Sequence, residues 1–185
     1  MANFKEDIAL CKAFIFDVDG VMTDGGIMPI DGGKDFIRQY NAKDGYAIAY
    51  AVRRGYKVCV ISGGFGELLR SRLERLGVTK AYLGCMNKIE AMEEFFRDYE
   101  LDPATTIYMG DDIPDLECMA RVGIPVCPAD ACAEVLEASR YVSEFGGGKG
   151  AVRDIVEQTL RAQDEWAKDH MGVICVASRQ CYYGG

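Results

Sequence analysis

The stretch KAFIFDVDG, residues 12–20, decides how the rest of the chain is read. Residues 12–16 are a short apolar run that breaks off into two aspartates and a glycine, the pattern of a buried strand opening into a loop. Three more such runs follow: KVCVIS at 57–62, TTIYMG at 105–110 and GIPVCP at 123–128. Helical periodicity occupies 44–54, 67–76, 87–99, 115–122, 131–137 and 150–163, with Gly55 and Gly77 as stops for the first two. Strands alternating with helices imply βαβ units. The expected fold class is α/β, a Rossmann-like, doubly wound, mostly parallel sheet with helices on both faces. Its site should lie beyond the carboxyl ends of the strands.

The segment 24–41 breaks the alternation. Two extended runs, GIMPI and DFIRQY, flank Asp31-Gly32-Gly33, which signals a β-hairpin inserted after the first strand. Its apolar residues Ile27, Met28, Ile30, Phe36, Ile37 and Tyr40 are too few for a core of their own. They need a partner surface, either the parent domain or another subunit. With 185 residues the chain fits one domain, expected over 1–165, followed by a tail over 166–185 without periodicity.

Bulk chemistry narrows the function. The formal charge is −8, from 29 acidic and 21 basic residues, which disfavours nucleic acid and anionic membranes as partners. No run approaches the ~18 apolar residues of a membrane span, and the N-terminus lacks a signal-peptide core. Eight scattered cysteines without a Cys-x-x-Cys pair read as reduced thiols in a cytoplasmic protein. The one histidine, His170, falls in the tail, so His-based triads and zinc sites are disfavoured. Hydrolysis by this chain has to run on carboxylates and a metal.

Asp17 and Asp19 end the first strand two residues apart, so both can reach one site. An aspartate can attack phosphorus and form an aspartyl-phosphate, while a second donates and then accepts the proton. Two carboxylates this close need a cation, and Mg²⁺ suits oxygen ligands. An EF-hand loop is excluded, because Val21 and Met28 stand where its fifth and twelfth residues should be acidic. Gly110-Asp111-Asp112-Ile113-Pro114-Asp115 puts three carboxylates on one strand-to-helix turn; capping needs only Asp112 or Asp115, leaving Asp111 as a metal ligand. Ser62-Gly63-Gly64 offers a hydroxyl and backbone N–H groups for a phosphate. Lys88 opposes the dipole of the helix it starts, unless it serves to neutralise a phosphoryl group.

Asp-x-Asp, Ser, Lys and Gly-Asp-Asp-x-x-Asp in this order resemble the haloacid dehalogenase superfamily. The resemblance implies Asp17 as nucleophile and Asp19 as acid/base, with Ser62, Gly63 and Lys88 binding phosphate. It implies Mg²⁺ on Asp17, the Asp19 backbone carbonyl and Asp111, supported by Asp112 and Asp115. From about residue 11 to 163, DVDGVMTDG, YNAKDGYAI, YMGDDIPDL, CPADA and GGGKGAVRDIVEQTLRAQ resemble one subfamily, the 3-deoxy-D-manno-octulosonate 8-phosphate phosphatases of lipopolysaccharide sugar biosynthesis. That subfamily has no cap domain. The likeness implies a homotetramer associated through hairpins, a neighbouring subunit closing the site, and Asn41, Ala42, Lys43, Asp44, Gly45 and Arg72 around a phosphorylated sugar acid. Three positions depart from it: Gly64, Ala49 and Lys43 stand where arginine is usual, and an arginine fork is not replaced conservatively. A phosphatase of a nine-carbon 9-phosphate is therefore the nearest alternative. A phospho-acceptor signalling module is the non-enzymatic one, disfavoured because its acceptor aspartate follows a middle strand. An inactive relative is opposed by the full motif set, and a phosphomutase by the small insertion.

Overall fold

The computed structural model describes residues 3–168, so most of the expected tail, with His170, Cys175 and Cys181, lies outside the described residues. In chain order the elements are α1 (Phe4–Ile8), β1 (Ala13–Phe16), β2 (Met28–Ile30), β3 (Asp35–Ile37), α2 (Ala42–Arg53), β4 (Lys57–Ser62), α3 (Glu67–Leu76) and β5 (Lys80–Leu83). Then come α4 (Lys88–Asp98), β6 (Thr106–Met109), α5 (Leu116–Met119), β7 (Ile124–Cys127), α6 (Ala133–Ala138), β8 (Tyr141–Val142) and α7 (Ala151–Ala162).

Six strands form one parallel sheet in the order β5-β4-β1-β6-β7-β8. The order runs outward from β1 in both directions, as in doubly wound dinucleotide-binding sheets, and the crevice for a ligand opens where the direction reverses. β1 is the central strand, with Phe16 level with Val60 of β4 and Met109 of β6. Period-2 alternation builds two cores from the same strands. Phe14, Phe16, Val58, Val60, Ile107 and Met109 face α2, α3 and α7, while Ile15, Cys59, Ile61 and Tyr108 face α4, α5 and α6. Trp166, just past α7, packs on Tyr50 of α2 and lies 4.4 Å from the Arg153 guanidinium.

The hairpin forms as expected, with Met28 opposite Ile37 and positive φ at Asp31, Gly32 and Gly33 in the turn. Two contacts dock it: Asp35 Oδ2 accepts the Leu68 N–H at 3.0 Å at the start of α3, and Phe36 meets the Phe65 ring edge-on at 5.3 Å. Ile27, Met28 and Ile37 remain 51%, 62% and 49% exposed.

Some elements differ from those read in the sequence. α1, β5 and β8 were not expected. β5 is only half-buried along its length and β8 has two residues, so neither carries an apolar run. α1 has five residues and is held from outside, its Phe4 ring stacked on Tyr141 at 4.5 Å. The helix expected over 115–122 shrinks to α5, because a tight turn through Pro114 delays its start. α2 begins two residues early, since Asn41 Oδ1 accepts the Lys43 N–H at 2.8 Å and caps it.

Candidate active site

Strand pairing sets the site. The Asp17 N–H donates to Met109 O at 3.1 Å, so the β1–β6 ladder holds Asp17 beside the end of β6. Asp111 follows Met109 by two residues, and Ser62 follows Val60 by two at the end of β4. The three therefore emerge together at the carboxyl edge, around the reversal of strand order. Lys88, the first residue of α4, completes the arrangement from the side. Asp17, Asp19, Ser62, Gly63, Lys88, Asp111, Asp112 and Asp115 all line one cleft of ≈ 400 Å³.

At its floor is a charge network. Lys88 Nζ bridges Asp17 Oδ2 at 2.9 Å and Asp115 Oδ1 at 2.8 Å. Asp115, fully buried, also accepts the Tyr108 hydroxyl at 2.7 Å and the Asp111 N–H at 3.1 Å. Neither Asp112 nor Asp115 caps a helix through its side chain. Asp115 instead orients Lys88 and the Asp111 loop, while Asp112 lies exposed on the rim. Burial alone would lower the Lys88 pKa, but the two carboxylates outweigh it and hold the ammonium charged. The dipole opposition at the start of α4 is thus offset by two ion pairs.

One ammonium does not balance three carboxylates. Carboxylate oxygens of Asp17, Asp111 and Asp115 lie within 4.8 Å of one another. Burial, then repulsion from Asp115, pushes Asp17 up to about 6 despite Lys88. Burial, then Asp17 and Asp115, pushes Asp111 up to about 7. Asp111 Oδ1 is buried without a hydrogen-bond partner. An all-oxygen, electron-rich cluster with an orphaned carboxylate oxygen fits a hard divalent cation. Gly20 makes the arrangement possible: at φ +92° it turns the chain directly beneath Asp111, where a Cβ would collide with that carboxylate.

On the opposite wall, Ser62 Oγ accepts the Gly64 N–H at 3.0 Å, which leaves its hydroxyl proton free to donate into the cleft. Asp19 is held by a group that sequence reading did not single out. Arg38, just past β3, forks onto it, with Nε to Oδ1 at 2.7 Å and Nη2 to Oδ2 at 3.0 Å. Nothing local marks Arg38, because its partner lies 19 residues earlier. Tyr108 was hidden for a different reason, as one more apolar letter of a strand.

The residues expected around a sugar acid do not line this cleft. Asn41 is the α2 cap, and Ala42 and Lys43 are exposed beside it. Asp44 is buried and accepts the Arg153 N–H at 2.7 Å, tying α2 to the start of α7. Arg72 lies against Gly45, where a Cβ would strike its guanidinium, and 5.6 Å from the Tyr40 ring centre.

Residues 82–152 match the haloacid dehalogenase-like hydrolase family. The 3-deoxy-D-manno-octulosonate 8-phosphate phosphatase of Yersinia pestis is 37% identical over 154 residues, covering 83% of this chain and 82% of the relative. A crystal structure of that phosphatase from Yersinia pestis superposes with a TM-score of 0.85 at 35% identity, covering 89% of each chain. The Moraxella catarrhalis phosphatase, solved with magnesium ion, phosphate ion and a KDO molecule, gives 0.83 at 25% identity, covering 96% of this chain and 98% of that one. A doubly wound sheet without a cap, four motifs meeting at its carboxyl edge and likeness over more than four-fifths of the length agree: this chain belongs to the haloacid dehalogenase-like hydrolases, in the subfamily of the 3-deoxy-D-manno-octulosonate 8-phosphate phosphatases.

Proposed function

We propose that this chain is a Mg²⁺-dependent phosphomonoesterase that hydrolyses 3-deoxy-D-manno-octulosonate 8-phosphate to the free sugar acid and phosphate. The observation that carries the reading is the Asp17 carboxylate at the cleft floor, paired with Lys88 and crowded by Asp111 and Asp115. Such a cluster is costly to the fold and useful to phosphoryl transfer.

Asp17 attacks phosphorus with one carboxylate oxygen, and the bond from phosphorus to the sugar oxygen breaks. Asp19 gives its proton to that leaving oxygen. The resulting Asp19 carboxylate takes a proton from water, whose oxygen attacks phosphorus. The bond from phosphorus to Asp17 then breaks, releasing phosphate. The Ser62 hydroxyl and Lys88 hold the phosphoryl oxygens, the lysine using the donor not taken by Asp17 and Asp115. Asp17, the Asp19 backbone carbonyl and Asp111 would hold Mg²⁺, which would supply the positive charge that lets an anionic nucleophile approach an anionic phosphate.

The exposed apolar side chains of the hairpin support association of protomers, and we place a homotetramer there, with a neighbour closing the cleft. Among the described residues no helix is long and apolar enough to cross a membrane, and the six cysteines are unpaired; both support a cytoplasmic enzyme of lipopolysaccharide sugar synthesis. The test is a screen of phosphorylated sugars and sugar acids with Mg²⁺ or with EDTA. Preference for the eight-carbon 8-phosphate, lost on chelation, is expected. Preference for a nine-carbon 9-phosphate would reassign the substrate, and turnover surviving chelation would remove the metal.

A further inference from the structure

We propose that Arg38 is a positioning residue for Asp19, so that the docked hairpin aims the proton-transfer group of this capless enzyme. The inference rests on the reading of Asp19 as proton donor and acceptor.

Asp19 sits on a tight turn and its side chain is 28% exposed, so the turn alone does not choose its rotamer. The Arg38 fork engages both oxygens of the carboxylate; when Asp19 carries its proton the N–H facing that oxygen gives way, and the other still sets the direction. Arg38 is itself fixed. Its side chain is only 2% exposed and its guanidinium stacks 5.5 Å from the Phe36 ring centre. Phe36 and Asp35 are in turn fastened to Phe65 and the first turn of α3. A continuous chain of contacts thus runs from the start of α3 through the hairpin to Asp19.

Two further observations separate this from a simple staple. Gly64 lies under the pair: a Cβ there would be 2.6 Å from Arg38 Nη2 and 3.0 Å from Asp19 Oδ2. The phosphate loop therefore leaves open the space through which the guanidinium reaches the cleft wall. In addition, Arg38 Nη1 is buried with no partner. A guanidinium inserted only to hold the hairpin down has no reason to keep a buried donor unsatisfied.

Proton transfer needs a heavy-atom separation of about 2.6–3.2 Å, and a misplacement of about 1 Å costs about 10²-fold. The need depends on the ester. A sugar alkoxide must be protonated as it leaves, whereas p-nitrophenolate leaves unaided. The experiment therefore compares kcat/KM, which reports the first transfer to Asp17, for the sugar-acid phosphate and p-nitrophenyl phosphate in Arg38→Met, Arg38→Lys and Asp19→Asn. Arg38→Met is expected to lose about 10²-fold on the sugar-acid ester and much less on the aryl ester. Arg38→Lys should recover part of the loss. Asp19→Asn should show the same selectivity more strongly.

Equal losses on both esters in Arg38→Met, alongside a selective Asp19→Asn, would overturn the proposal and leave the role of Asp19 intact. A non-selective Asp19→Asn would overturn both. Should Arg38→Met not fold, Phe36→Leu removes the ring on which the guanidinium stacks without removing the guanidinium. Its loss is expected to be selective for the sugar-acid ester, and an unselective loss would count against Arg38.

Discussion

The sheet edge and the hairpin meet over Asp19, and they are built on different principles. At the sheet edge, parallel pairing of β1 with β4 and β6 places Asp17, Ser62 and Asp111 through backbone geometry, almost regardless of other side chains. The hairpin pairs only with itself and reaches its place through side chains: Asp35 on α3, Phe36 on Phe65, Arg38 on Asp19. The edge carries an electrostatic burden, since three carboxylates crowd together and one lysine pairs with two of them. The hairpin carries the opposite kind, apolar side chains left open to solvent. A stiff scaffold can hold an unfavourable charge cluster in register, while an insertion is where partner contacts and substrate selection can change without moving the chemistry.

Substitutions at the edge should dominate activity. Asp17→Asn is expected to lower kcat by at least about 10³-fold with an unchanged or higher melting temperature, because it removes a buried acid that resists ionising. Turnover near wild type would break the contrast at once. Lys88→Met should cost about 10²–10³-fold in kcat. It should also lower the melting temperature at pH 8, and less at pH 5, where Asp17 and Asp111 take up protons instead.

The metal-free protein sharpens the same point through pH. Burial and mutual repulsion push Asp17 up to about 6 and Asp111 up to about 7, above the ordinary aspartate value of about 3.9. A folded pKa raised in this way contributes stability that is present below about pH 4 and lost as pH rises through 6 to 7. Metal-free protein should therefore melt several degrees lower at pH 8 than at pH 5, at about 2–4 °C per kcal/mol for this size. Mg²⁺ should restore the loss at pH 8 and do little at pH 5. Asp111→Asn should flatten the dependence. A melting temperature that rises from pH 5 to pH 8 without metal would contradict the charge assignment.

The hairpin should respond in assembly more than in chemistry. Met28→Glu combined with Ile37→Glu is expected to reduce the sedimenting mass, with protomer melting changed by no more than about 2 °C. An unchanged mass would remove the hairpin from the proposed tetramer.

The same contrast governs what could be read in the sequence. KAFIFDVDG, KVCVISGG and TTIYMGDD each join a buried strand to a polar turn, so the sheet, its direction and the meeting of Asp17, Ser62 and Asp111 were legible. Lys88 was legible as a candidate, but its ion pairs with Asp17 and Asp115 were not, because Asp115 reads equally well as a cap. Arg38 was not legible, since pairing across 19 residues through an insertion leaves no local pattern. β5 and β8 escaped because weakly buried edge strands need neither an apolar run nor length. Asp44 shows the limit in reverse: a carboxylate beside a recognisable motif that the structure uses to tie α2 to α7.

The central claim is that Asp17, rather than water, attacks phosphorus first. The direct measurement is the steric course at phosphorus, with a substrate made chiral at the phosphoryl group by oxygen isotopes and turned over with Mg²⁺. Two in-line displacements, onto Asp17 and then onto water, give net retention, which is the expected result. Net inversion would mean a single direct attack by water and would contradict it.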